Sequence, residues 1–203
     1  MVLSFVHQLR KDLTIMKKSQ VNVKGICFTG IMAALVFVFT FTFKIPLGNG
    51  YTHLGDAFIF LSAYLLGGKR ATFAAGLGGA LADLAGGYTM WIAPTFIAKF
   101  LMAGVCCLVA ELIFKRSLLG YAVGAVAGAI VHIGAYSLAW FLLFDKAAMI
   151  SAFPALTLQT VVGVVVAAVF VAVFRKTGTD NKFRAMAGFE KKEKKAEADS
   201  EGK

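Results

Sequence analysis

The chain has 203 residues, of which 59% are apolar and only 16% charged, and its mean hydropathy is +0.75. Soluble domains carry about a quarter charged residues, so this composition excludes one and implies an all-α protein that crosses a membrane several times. The formal charge of +10 would suggest nucleic acid in a soluble protein, but the basic residues gather beside apolar runs, the pattern of membrane orientation and anionic-lipid contact, and no nucleic-acid partner is expected.

Residues 1–24 mix apolar and basic side chains (Arg10, Lys11, Lys17, Lys18, Lys24) and read as a cytoplasmic segment, either an amphipathic surface helix or a solvated tail. The membrane domain is expected over residues 25–175, with transmembrane helices at about 25–43, 56–67, 71–87, 91–114, 118–144 and 152–174. Pro94 and Pro154 then fall in first helical turns, where a missing N–H is harmless. Lys and Arg concentrate in the first segment, at Lys69 and Arg70, at Lys115 and Arg116, and from Arg175 onward, whereas Lys44 and Lys146 stand alone in the other connections. Short basic loops stay cytoplasmic, so both termini should be cytoplasmic and the spans number six. Residues 176–203 are rich in Lys, Glu, Ala and Gly and are expected to be a disordered charged cytoplasmic tail.

The stretch from Pro46 to Asp56 is the irregular part of this plan. It is polar and glycine-punctuated, and the apolar run after it reaches Lys69 after barely three helical turns, whereas the ~30 Å hydrocarbon core takes about 20 helical residues. Non-helical backbone tolerates membrane depth only where protein covers it or where it lines a cavity. A dipping, cavity-lining loop is therefore expected here.

Ionisable groups inside spans need a partner or a cavity. Asp83 and Lys99 lie at matching depths near the outer ends of their helices and are expected to pair. His132, Tyr136 and Trp140 follow at i+4 steps along one face of the fifth helix, and Gln159 lies at a similar depth in the sixth. With Asn49, Tyr51, His53 and Asp56 they make one polar and aromatic cluster open to the outside, the composition of a small-molecule pocket. Glu111, near the cytoplasmic end, is expected to pair with Lys115 at i+4. Cys27, Cys106 and Cys107 lack paired spacing and nearby histidines, so they read as packing residues and no metal site is expected. Neither HExxH, nor Gly-x-Ser-x-Gly, nor a phosphate loop occurs, so no enzyme and no cofactor is implied, and a transporter driven by ATP would take its ATPase from other chains. Small residues recur at four-residue steps, at Gly30 and Ala34, at Gly76 and Ala80, and at Gly120, Gly124 and Gly128, and such faces permit close helix approach.

Four blocks in order carry a resemblance: Gly-Tyr-Thr-His-Leu-Gly-Asp-Ala at Gly50 to Ala57, the Phe-Leu-Ser-Ala-Tyr-Leu-Leu-Gly-Gly that follows, Gly-Gly-Ala-Leu-Ala-Asp-Leu at Gly78 to Leu84, and Ala-Pro-Thr-Phe-Ile-Ala-Lys at Ala93 to Lys99. Over about residues 23–175 the chain resembles the substrate-binding S components of energy-coupling-factor (ECF) vitamin transporters, closest to the riboflavin-type group that also contains hydroxymethylpyrimidine and pyridoxine carriers. The resemblance implies six helices in a prokaryotic plasma membrane and an outward pocket closed by the loop after the first helix. It further implies a vitamin-like ligand, and function with a transmembrane coupling subunit and two ATPase subunits. Family members often present an Ala-x-x-x-Ala face on the first helix to the coupling subunit, and here Gly30 and Ala34 stand nearest to it. The alternatives are a self-sufficient secondary carrier and a small integral-membrane enzyme.

Overall fold

The structure is a computed structural model that describes residues 23–43, 45–47, 50–113 and 117–187. The N-terminal segment up to residue 22, Asn49, Lys115 with its expected link to Glu111, and the tail from residue 188 lie outside the described residues. Among the described residues seven α-helices and one short hairpin follow in order: α1 (Val23–Phe41), β1 (Ile45–Leu47), β2 (Gly50–Thr52), α2 (Gly55–Leu65), α3 (Gly68–Ala85), α4 (Ile92–Leu108), α5 (Leu118–Leu143), α6 (Lys146–Thr177) and α7 (Thr179–Met186). A 3-10 turn at Thr89–Trp91 leads into α4 and a π turn at Val109–Ile113 extends it.

Four of these segments are long and apolar enough to cross a membrane: Val23–Phe41, Thr89–Ile113, Leu118–Leu143 and Lys146–Thr177. The expected second span is a different object. The 11 residues of α2 rise only about 16 Å at 1.5 Å per residue, and every one of them is buried. Protein on all sides thus replaces lipid around a helix too short to span. The expected irregular stretch ahead of it departs from an all-helical plan, because Ile45–Leu47 and Gly50–Thr52 pair antiparallel with Ile45 opposite Thr52 and Leu47 opposite Gly50. An isolated two-stranded ribbon satisfies part of its backbone internally, as a polar segment at the end of a membrane bundle requires.

Consecutive helices run antiparallel, so the C-terminal ends of α1, α3 and α5 meet the N-terminal ends of α2, α4 and α6 at one end of the bundle. Glycine sets several of the approaches. A Cβ on Gly124 would stand 2.5 Å from the Cys106 carbonyl oxygen, and one on Gly128 would stand 2.6 Å from that of Met102, so two members of the α5 series serve close packing on α4. Between α2 and α3 the chain reverses through Gly67 and Gly68, with φ of 62° and 46°, values open to glycine at little cost. There Glu111 Oε1 accepts the Gly68 N–H at 2.9 Å, giving Glu111 a role at the start of α3.

Two boundary expectations are corrected. The sixth helix begins at Lys146 rather than Ala152, because the Asp145 side chain caps it by accepting the Ala148 N–H at 2.7 Å. Pro154 consequently lies inside the helix and not in its first turn, and the Ile150 carbonyl loses its helical donor. The second correction concerns the tail. Disorder was expected from residue 176, yet α6 runs to Thr177, and after Gly178 at φ 66° the chain folds back as α7. Phe183 packs edge-on against Phe28 with ring centroids 4.5 Å apart, and the Tyr64 hydroxyl donates to the buried Asp180 at 2.7 Å. Two anchors within one turn hold a segment whose average composition is polar.

Candidate functional site

A cavity of about 410 Å³ occupies the bundle end where the six helix termini converge, and Thr40, His53, Asp83, Trp91, Lys99, Tyr136, Trp140 and Gln159 are among its lining residues. Its floor is a buried charge network. Asp56, in the first turn of α2 where helix N–H groups favour an anion, is fully buried and accepts from Lys99 Nζ at 2.7 Å and from Gln159 Nε2 at 2.8 Å. The structure gives the ammonium to Asp56, a partner that the expectation of an Asp83–Lys99 pair did not include. Asp83 lies buried in the cavity wall. Helix spacing alone could not choose between the two carboxylates, since both sit at the depth of Lys99.

Glycines make room for this network. The aliphatic stem of Lys99 crosses Gly79, where a Cβ would collide with it, and a Cβ on Gly163 would come within 2.7 Å of the Asp56 Cβ. His132 backs the floor. The Thr160 hydroxyl donates to the Leu156 carbonyl at 2.9 Å, so the His132 Nδ1 at 2.8 Å donates to Thr160 and the ring is the Nδ1–H tautomer. Its Nε2 is then a buried acceptor without a hydrogen-bond partner. His132 Nδ1 also stands 3.8 Å from Asp56 Oδ2, close enough to feel its charge.

Above the floor, His53 is buried in the connection between β2 and α2, outside the membrane-spanning helices. Burial first, then the positive charge of Lys99, pushes its pKa down to about 3, so the ring is neutral. Its Nδ1 accepts the Gly55 N–H at 3.2 Å, which leaves the ring proton on Nε2. Thr40 presses against Gly55 so closely that no Cβ fits there, and its hydroxyl, 2% exposed, has no hydrogen-bond partner. Tyr51 belongs to β2.

Part of the lining is aromatic. Trp91 lies 4.8 Å from Trp140 and 6.1 Å from Tyr136 between ring centroids, the latter pair nearly parallel at 24°. The Tyr136 hydroxyl donates to Thr95 Oγ1 at 2.8 Å, which fixes the ring's tilt. Of the residues expected in the pocket, His53, Asp56, Asp83, Lys99, His132, Tyr136 and Gln159 converge here. Thr40, Trp91 and Thr95 were missed. Trp91 opens an apolar segment and reads as an interfacial anchor, and Thr40 carries no charge or ring to mark it. Gly30 and Ala34 lie elsewhere, exposed on the outer face of α1, and a Cβ on Gly30 would meet no atom within 4 Å. Among the described residues no group of His, Cys, Asp and Glu is placed to hold a metal ion.

The arrangement combines donors from Lys99 and His53 with flat rings around one space. Apolar and aromatic walls with a few placed polar groups are the chemistry of a small-molecule pocket. A solved structure described as the S component of a bacterial ECF transporter shares the fold, with a TM-score of 0.57 at 22% identity, covering 77% of this chain and 96% of that one. An uncharacterized protein in the gap 3' region of Pyrococcus woesei is 30% identical over 125 residues, 60% of this chain and 80% of that protein. Residues 20–176 match the family described as ECF-type riboflavin transporter, S component, a span that takes in every helix around the cavity. The chain belongs to that family, and is a substrate-binding subunit of an ECF transporter.

Proposed function

We propose that the chain captures a planar heterocyclic vitamin or vitamin precursor outside a prokaryotic cell and hands it to a transmembrane coupling subunit driven by two ATPase subunits. The observation that carries this reading is the cavity of about 410 Å³, whose lining combines the rings of Trp91, Tyr136 and Trp140 with the donors of Lys99 and His53. Riboflavin, after which the family is described, has the ring system and acceptor edge that this chemistry suits. Hydroxymethylpyrimidine and pyridoxine share those features at smaller size.

The helices α1 to α6 sit in the plasma membrane, the short α2 enclosed by the others and completed as a crossing by the hairpin before it, with both termini cytoplasmic. Support comes from charge: Lys69 and Arg70 begin α3 at the end of the bundle opposite the cavity, which puts the cavity outside under the positive-inside bias. The stretch from 45 to 52, which carries Asn49 and Tyr51 in its sequence, is the lid over the bound molecule. On the outer face of α1, Gly30 and Ala34 leave room for a helix of the coupling subunit.

Intrinsic fluorescence tests the reading directly, because the chain has two tryptophans and both Trp91 and Trp140 line the cavity. Purified protein titrated with riboflavin, pyridoxine and hydroxymethylpyrimidine should show saturable quenching with one of them, and mass spectrometry should find that compound carried through purification. Trp91→Ala should weaken it by about 1–3 kcal/mol, the scale of a flat ring stacked on an aromatic side chain. A chain that transports alone in proteoliposomes, or that releases a chemically altered ligand, would replace this reading with a secondary carrier or an enzyme.

A further inference from the structure

A second concavity, of about 260 Å³, opens at the far end of the bundle between the C-terminal end of α2, the last turn of α6 and α7, lined by Tyr64, Arg175, Asp180, Asn181 and Arg184. Its one carboxylate is already engaged. Asp180 Oδ2 accepts the Tyr64 hydroxyl at 2.7 Å and Oδ1 accepts the Asn181 N–H at 2.9 Å. Arg184 donates from one terminal nitrogen to the Tyr64 carbonyl at 2.7 Å and stands 5.0 Å from the Tyr64 ring centroid, and its Nε is buried without a hydrogen-bond partner. Arg175 makes no side-chain hydrogen bond among the described residues. Two guanidinium groups and an amide therefore converge on one concave space, and guanidinium forks match tetrahedral oxyanions better than any other side chain.

Depth narrows the source of the anion. Arg175 is the first charge after 28 uncharged residues, 147–174, and so stands where α6 leaves hydrocarbon for headgroups. The turns of α6 leading to it expose Val169 and Val173. Next to the cleft, α7 turns Phe183 inward onto Phe28 and leaves Met186 54% exposed, the two-faced character of a helix lying in the membrane interface. Acyl chains thus have apolar surface beside the cationic cleft.

We propose that this cleft binds a phosphate oxyanion, supplied by the headgroup of an anionic phospholipid. The site is independent of the vitamin cavity, which lies at the other end of the bundle. The test uses the full chain in detergent, with native mass spectrometry after exposure to equal amounts of phosphatidylglycerol and phosphatidylcholine, and thermal unfolding in parallel with each lipid or with inorganic phosphate. One phosphatidylglycerol should be retained in preference to phosphatidylcholine and should raise the melting temperature. Arg175→Ala should lower that retention roughly fivefold, the worth of one cation near an anionic headgroup, and Arg175→Lys should restore part of it. Arg184→Ala risks undocking α7, so Arg175 is the residue to vary, and unchanged melting of the lipid-free Arg175→Ala protein certifies its fold. Equal retention of the two lipids, or undiminished retention by Arg175→Ala, overturns the proposal. Stabilisation by inorganic phosphate equal to that by lipid overturns the lipid assignment.

Discussion

Asp56 concentrates the energetic risk of this protein in one carboxylate. It is fully buried, and it meets Lys99 and Gln159 through its two oxygens, at 2.7 and 2.8 Å. Removing one partner of a buried pair strands the other charge, at a cost of about 3–5 kcal/mol, whereas replacing both with apolar groups is often neutral. Asp56→Asn should therefore lower the apo melting temperature steeply, and adding Lys99→Met should recover much of the loss while still abolishing ligand binding. If the double variant is no more stable than Asp56→Asn, the ion pair is not what holds this end of the bundle. Thr40 makes the complementary case, because it is among the cavity's lining residues and its buried hydroxyl has no hydrogen-bond partner. Thr40→Val keeps the shape and removes only that hydroxyl, so apo stability should hold or rise while affinity falls by about 0.5–1.5 kcal/mol, the net worth of one hydrogen bond. Titration calorimetry beside thermal unfolding separates the two effects.

Elements couple these residues through closeness of approach. Helix α6 lies against the start of α2 only because residue 163 is glycine, with a hypothetical Cβ 2.7 Å from that of Asp56. Gly163→Ala should push the helices apart, carry Gln159 away from Asp56 and destabilise the protein by about 1–3 kcal/mol, as overpacking does. Gly30 is the control on the other side of the bundle. Since nothing lies within 4 Å of a Cβ there, Gly30→Leu should leave melting and ligand binding intact and yet block assembly with the coupling subunit. Copurification of the tagged chain with the coupling and ATPase subunits reads this out, and undiminished assembly would assign the face to lipid. The short helix α2 runs from the cavity toward α7, with Asp56 in its first turn and Tyr64 bonded to Asp180 near its end.

At the scale of the whole molecule, the orientation proposed from charge predicts that a cysteine at Lys146 is labelled from outside an intact cell and one at Lys69 is not. A Cys27→Ser background is needed, because Cys27 is exposed whereas Cys106 and Cys107 are buried. The reverse labelling pattern would invert the topology and put the cavity on the cytoplasmic side.

Composition and periodicity alone were enough to determine that the chain carries apolar membrane helices and, apart from the start of the sixth, roughly where its main helices lie. Each of these is a local property, set by whether a stretch of side chains is more stable in lipid or in water and by how far a helix rises per residue. Partner choice was not local. Asp56 and Asp83 are both carboxylates at the depth of Lys99, and only the packing of α2 between α4 and α6 brings Asp56 to the ammonium. The same holds for Trp91, which ends a 3-10 turn ahead of α4 and lines the cavity, and for α7, which polar composition assigns to solvent. There Phe183 and Asp180 find Phe28 and Tyr64, more than a hundred residues earlier in the chain. Contacts across such separations depend on how the helices are placed, and no window of sequence contains both sides of them.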